Sequence, residues 1–170
     1  DTMKTPMRAL LAAGALVFAV SVPAQEKVTL SIATGPTTGV YYPLGGGIAN
    51  VLSKYVPGYA ANAESTAGSV ANLQLMSQKK SDLALSMADA AWDGYKGQGK
   101  FAAGAVPIRT LMIAYPNRMH IVTVDGTGIN KIADLKGKRV STGAPNSATE
   151  LMAARVLEAD RPFVSSCSDV

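Results

Sequence analysis

Ile32-Ala33-Thr34-Gly35-Pro36-Thr37-Thr38-Gly39-Val40-Tyr41-Tyr42-Pro43-Leu44-Gly45-Gly46-Gly47 is the stretch whose reading decides the fold. Leading into it, Val28, Leu30 and Ile32 alternate with Thr29 and Ser31, a period of two that predicts a strand over residues 28–33. Beyond it, Leu44, Ile48, Val51, Leu52 and Tyr55 recur at helical spacing. Pro43 suits the first turn of that helix and Pro57-Gly58 ends it. A strand thus runs through a Gly/Thr turn into a helix that starts near Tyr42. Backbone N–H groups and hydroxyls then gather at the positive end of a helix dipole, where an anion can dock. The same grammar returns at Ser65-Thr66-Ala67-Gly68-Ser69 and at residues 143–149.

Working outward, residues 59–64 predict a second strand, and Val70, Leu73, Leu75 and Met76 a helix with Ser69 as N-cap. The apolar run over residues 83–87 predicts a buried strand feeding Ala88 to Tyr95. Residues 96–105 form a Gly/Ala loop. Residues 109–115 and 119–124 each predict a strand, broken by Pro116-Asn117-Arg118. That break fits a hinge between two lobes, and equally an ordinary turn between neighbouring strands. Ile132 to Leu135 predicts a short helix and residues 138–142 a strand. Ser147-Ala148-Thr149-Glu150 matches a capping box that opens a last helix reaching Ala159. Strands alternating with helices give an α/β fold with a largely parallel sheet.

The N-terminus predicts an export signal. Lys4 and Arg8 precede an apolar run over residues 9–20 that is too short to cross a bilayer comfortably, and Val22-Pro23-Ala24 fits a cleavage site. Residues 1–24 are therefore expected to be a signal peptide, with residues 1–2 as upstream read-through before Met3. A retained signal anchor is the rival reading. The formal net charge is +4 over 170 residues, and the basic residues are scattered except over 131–139. With few aromatics among them, nucleic acid is not an expected partner. Cys167 is the single cysteine, so no intramolecular disulfide or cysteine-based metal site can form.

Several segments in series resemble the TAXI group of solute-binding subunits from tripartite ATP-independent periplasmic (TRAP) transporters. They are the Thr34–Gly47 loop with Tyr41-Tyr42-Pro43; Glu64 to Leu73; Asp82 to Ser86 with Ala88-Asp89; and Tyr95-Lys96-Gly97. Tyr115-Pro116, the stretch around His120, Ile132 to Val140, and Gly143-Ala144-Pro145 through Glu150 complete the series. Each motif alone is weak, but their order and spacing from about Val28 to Ala159 are specific. The resemblance implies a two-lobed, type II-like periplasmic-binding-protein fold that captures a small carboxylate between its lobes. That solute, glutamate- or glutamine-like or a dicarboxylate, would be delivered to an ion-gradient-driven TRAP permease. No catalysis, cofactor or metal is expected, and the complete receptor is expected to be a periplasmic monomer.

On this reading residues 25–116 form the N-terminal part of the first lobe and residues 117–159 start the second. Residues 160–170 depart from the family pattern. They are expected to be an aberrant tail from a frameshift or truncated reading, with most of the second lobe missing and solute binding weak or absent. The alternative functional readings are an exported antigen or adhesion module on the same scaffold, or a non-functional fragment.

The candidate solute contacts are Thr37, Thr38, Gly39 and Tyr41 in the first loop, and Ser65, Thr66, Gly68 and Ser69 in the second. Asn146, Ser147 and Thr149 would close from the other lobe. Turn formation and helix capping account for the same residue types. Asp89 and Tyr115 lie just beyond strand ends, where ligands bind in parallel α/β sheets. Asp89 either accepts from a solute amino group or caps its helix; Tyr115 either edges the site or packs in the core. Tyr42 and Trp92 are expected in the core, and Arg109 and Arg118 at the surface.

Rival chemistries lack their signatures. Neither Gly39 nor Gly47 is followed by the Lys-Ser or Lys-Thr of a phosphate-binding Walker loop. Gly97 to Ala102 nominally matches a dinucleotide fingerprint but follows a helical segment instead of a strand. His120, the one histidine, sits without a nucleophile-elbow sequence or a second histidine to share a metal.

Overall fold

Val28–Ala33 forms the central strand, β1, in a computed structural model that describes residues 27–159. The expected signal peptide, the 160–170 tail and Cys167 lie outside the described residues. Tyr59–Glu64 (β2) pairs in parallel along all of β1, from Val28 opposite Tyr59 to Ala33 opposite Glu64. Leu83–Ala84 (β3) pairs in parallel with Ile32 and Ala33 on the other side. The strand order is β2-β1-β3.

Helix α1 (Tyr41–Tyr55) links β1 to β2, and α2 (Ser69–Ser77) links β2 to β3. These two crossovers run in opposite directions along the sheet. Right-handed connections therefore place the helices on opposite faces. The buried residues divide in the same way. Ile32, Ala49 and Ala61, with Leu30, Ile48, Leu52 and Leu83, form the layer between α1 and the sheet. Val70, Leu73, Ala90, Phe101, Val106 and Ala148 form a second cluster around α2 and helix α3 (Ala88–Lys96). Leu151 of helix α4 (Ala148–Ala159) packs onto this second cluster. Gly45 lets α1 lie close on the sheet end, because a Cβ there would run into the Thr34 methyl group.

Several expected elements come out differently. β3 is two residues long instead of five. The Leu85 N–H still reaches the Ala33 carbonyl at 2.9 Å, but the Leu85 carbonyl accepts from Asn72 Nδ2 and the Met87 N–H donates to Ser69 Oγ. Side chains thus replace the ladder. Residues 109–115, 119–124 and 138–142 form no strand. Their β-branched residues favour extended backbone, but a strand needs a neighbour, and none pairs with them among the described residues. Leu111, Ile113, Val122 and Val124 are left exposed. Ile132–Leu135 is a 3-10 turn; the Asp134 carboxylate accepts from the Asn130 and Lys131 N–H groups and ties that turn off. Trp92 is not core: it is 58% exposed beneath the Lys96 ammonium, which lies 4.8 Å from the ring centroid. Tyr42 also faces outward, as does His120.

Candidate functional site

The C-terminal edge of the sheet carries three loops that are stitched to one another. The Thr34 N–H and hydroxyl both donate to the Glu64 carbonyl, at 3.0 and 2.6 Å. The Gly35 carbonyl accepts from the Ser65 hydroxyl at 3.1 Å and the Thr66 N–H at 3.2 Å. Behind them sits Asn72, fully buried. Its Nδ2 donates to the Thr34 carbonyl at 2.6 Å, the Leu85 carbonyl at 2.7 Å and, more loosely, the Ala33 carbonyl at 3.3 Å. Its Oδ1 accepts from the Thr66 hydroxyl, which in turn accepts from the Gly68 N–H at 3.0 Å. One amide therefore fixes the ends of β1 and β3 and the loop before α2. Unpaired, those carbonyls would each carry a burial penalty.

This scaffold gathers four of the sequence-predicted residues. The Tyr41 ring, at the start of α1, meets the Tyr115 ring edge-on with centroids 6.4 Å apart. Burial raises the Tyr41 phenol above the ordinary tyrosine value; a hydrogen bond with the Ser69 side chain pulls it back, and the charge of Asp89 adds to the rise. Burial also raises Tyr115. Tyr41, Ser69, Asp89 and Tyr115 thus share one location between the first turns of α1 and α2. Among the described residues, neither of those turns carries a side-chain cap. Ser69 is the first residue of α2 and not its N-cap; Gly68 holds that position at φ +118°, a conformation that side chains strain to adopt. This leaves the Ser69 hydroxyl to accept from Met87 at 3.0 Å.

The third loop docks on the second. The Asn146 carbonyl accepts from the Ala71 N–H at 3.2 Å, and Ser147 lies against Gly68, 3.7 Å from where a Cβ would stand. Ser147 Oγ accepts from the Glu150 N–H at 3.1 Å, as the capping box requires. The Glu150 carboxylate reaches back one residue further than expected, to the Asn146 N–H at 2.8 Å. Asn146 itself adopts a left-handed φ of 62°.

The other candidates are placed differently. Thr37 and Thr38 are exposed, and the Gly39 N–H is spent in a turn on the Pro36 carbonyl at 2.8 Å. The Ser65 and Thr66 hydroxyls are used inside the scaffold. Thr149 is exposed on α4. An open depression of about 620 Å³, lined by Thr123, Lys138, Arg139 and Ser141 among others, includes none of the gathered residues.

Sequence reasoning missed two participants. Asn72 carries the scaffold, and Arg155 on α4 bridges to α3. The Arg155 guanidinium donates to Asp89 Oδ2 at 3.1 Å and to the buried Asp93 carboxylate. Asp89 and Asp93 stand four residues apart, on one helix face; that spacing was the available sign that a cation is needed there. Asp89 Oδ1 is buried and has no partner among the described residues.

Among the described residues, no group of three or more His, Cys, Asp or Glu side chains is placed to hold a metal ion. Also among them, no helix is long and apolar enough to cross a membrane. A protein-family model described as the NMT1-like family matches residues 32–162, most of the chain.

Proposed function

The chain belongs to the NMT1-like family, a solute-binding family of periplasmic-binding-protein fold, and on that premise we propose that it captures a small carboxylate at the first turns of α1 and α2. The observation that carries this reading is the gathering of Tyr41, Ser69, Asp89 and Tyr115 at the C-terminal edge of a parallel sheet, between two helix starts without side-chain caps. A carboxylate there accepts from backbone N–H groups at the positive ends of both helix dipoles. The phenols of Tyr41 and Tyr115, neutral at ordinary pH and moved further from ionisation by burial, add donors without charge. Asp89 accepts from an amino group on the same solute, and Tyr115 walls one edge. Gly68, Asn146 and Ser147 cover the α2 side, while Thr37, Thr38 and Thr149 meet solute only when the loops close further.

The solute class is glutamate and its relatives. The role is that of a periplasmic TAXI-type receptor serving a TRAP permease, with the order and spacing of motifs between Val28 and Ala159 as its support. Binding, not turnover, is the activity. The test is a titration of the full chain with L-glutamate, followed by backbone amide shifts. Saturable shifts at Tyr41, Ser69 and Val70, weakened in Ser69→Ala and Tyr41→Phe, are expected. Shifts that ignore both substitutions, or none across acidic amino acids, amides and dicarboxylates, would rule the reading out.

A further inference from the structure

We propose that Arg155 is the positioning residue of this site: it holds Asp89 by one carboxylate oxygen so that the other, left without a donor among the described residues, takes an ammonium group of the solute. The proposal rests on the carboxylate-binding reading above and concerns how that site tells an amino acid from a plain diacid.

Arg155 reaches α3 from α4 and touches two carboxylates at once. One nitrogen takes Asp89 Oδ2 at 3.1 Å and the other takes Asp93. Asp93 is 5% exposed, so its partner is fixed by burial as well as by charge. A guanidinium is planar and its donors diverge at set angles, so binding two carboxylates fixes the orientation of both. A carboxylate without such a tie turns broadly about its last torsion. Asp89 Oδ1 is then left buried without a donor among the described residues, a costly state unless something supplies one.

The charge balance says what kind of donor. One guanidinium faces two carboxylates, so the cluster keeps an excess negative charge. That excess repels a second carboxylate and favours an ammonium. The Met87 N–H, just before α3, donates to Ser69 Oγ at 3.0 Å, which places the start of α3 and with it Asp89 beside Ser69 and not on a remote face. The same guanidinium anchors α4, whose N-terminal loop lies on Gly68 and on the Ala71 N–H. Orienting Asp89 and seating the third loop are one act of one side chain. A lysine in place of Arg155 would keep the charge but lose the fork.

The test compares L-glutamate with glutarate, which has both carboxylates and no ammonium, by amide-shift titration of the full chain and of Arg155→Lys, which keeps the charge and loses the fork. The wild type is expected to prefer glutamate by about tenfold or more. Arg155→Lys should reduce that preference to about twofold or less, by weakening glutamate binding more than glutarate binding. A purely structural role would lower both affinities together, and that result overturns the proposal. So does full preference retained in Arg155→Lys. Equal binding of both probes by the wild type sinks the proposal and leaves the carboxylate reading standing; binding of neither probe sinks that reading, and this one with it.

Discussion

Asn72 and Tyr41 illustrate two different uses of burial. Asn72 is a structural hub: replacing it with Ala strips donors from the Thr34 and Leu85 carbonyls and leaves a void behind the site. Chemical denaturation of Asn72→Ala should show a loss of roughly 2–4 kcal/mol; a change near zero would mean water replaces the amide freely. Tyr41 is instead tuned. Its phenol titrates above the ordinary value of 10.0, chiefly through burial. The folded state therefore holds the proton longer than the unfolded chain does. The stability linked to that proton is complete below about pH 10 and is lost as pH rises through the raised folded value. Melting temperature should fall on raising the pH beyond that point, less steeply in Tyr41→Phe; identical slopes would contradict the assignment. Asp134 runs the other way. Accepting two backbone N–H groups holds its carboxyl below the usual range, so its contribution disappears only as pH falls through that lowered value.

At the scale of elements, capping and glycine conformation set the site's loops. Ser147→Ala removes the cap of α4 and should cost about 1 kcal/mol in denaturant midpoint terms. Gly68→Ala meets strain instead of collision, since the nearest Ser147 atoms would lie at 3.7 Å while φ is +118°; about 1–3 kcal/mol is expected. No loss in Gly68→Ala would show that the loop relaxes. These local features also mark how much the sequence carries. β1, β2, α1 and the α4 cap are legible because period-two alternation, helical spacing and Ser147-x-x-Glu150 are nearest-neighbour signals. The strands expected at 109–124 fail because pairing is a property of two segments, and alternation describes one. Ser69 is singled out by the loop over residues 65–69, and Asp89 and Tyr115 by expected strand ends, although residues 109–115 form no strand. Arg155 is not, because its partner Asp93 stands 62 residues away and only packing of α4 on α3 joins them.

For the whole molecule, two apolar clusters carry the packing, the layer of α1 against the sheet and the cluster of α2, α3 and α4. The apolar residues over 109–124 lie outside both clusters. Exposed alternating apolar backbone of this kind pairs with other chains. Ile113→Lys with Val122→Lys should therefore reduce light scattering on heating while moving stability by less than about 0.5 kcal/mol. An unchanged scattering onset would place the association elsewhere.

The central claim is that a small carboxylate is held at the first turns of α1 and α2. Its most direct test is an amide-shift titration of the full chain with L-glutamate. The account predicts saturable shifts centred on Tyr41, Ser69, Val70 and Asp89, with a Kd on the order of mM or tighter. Shifts confined to the depression lined by Thr123, Lys138 and Arg139, or no saturable shift at all, would contradict it.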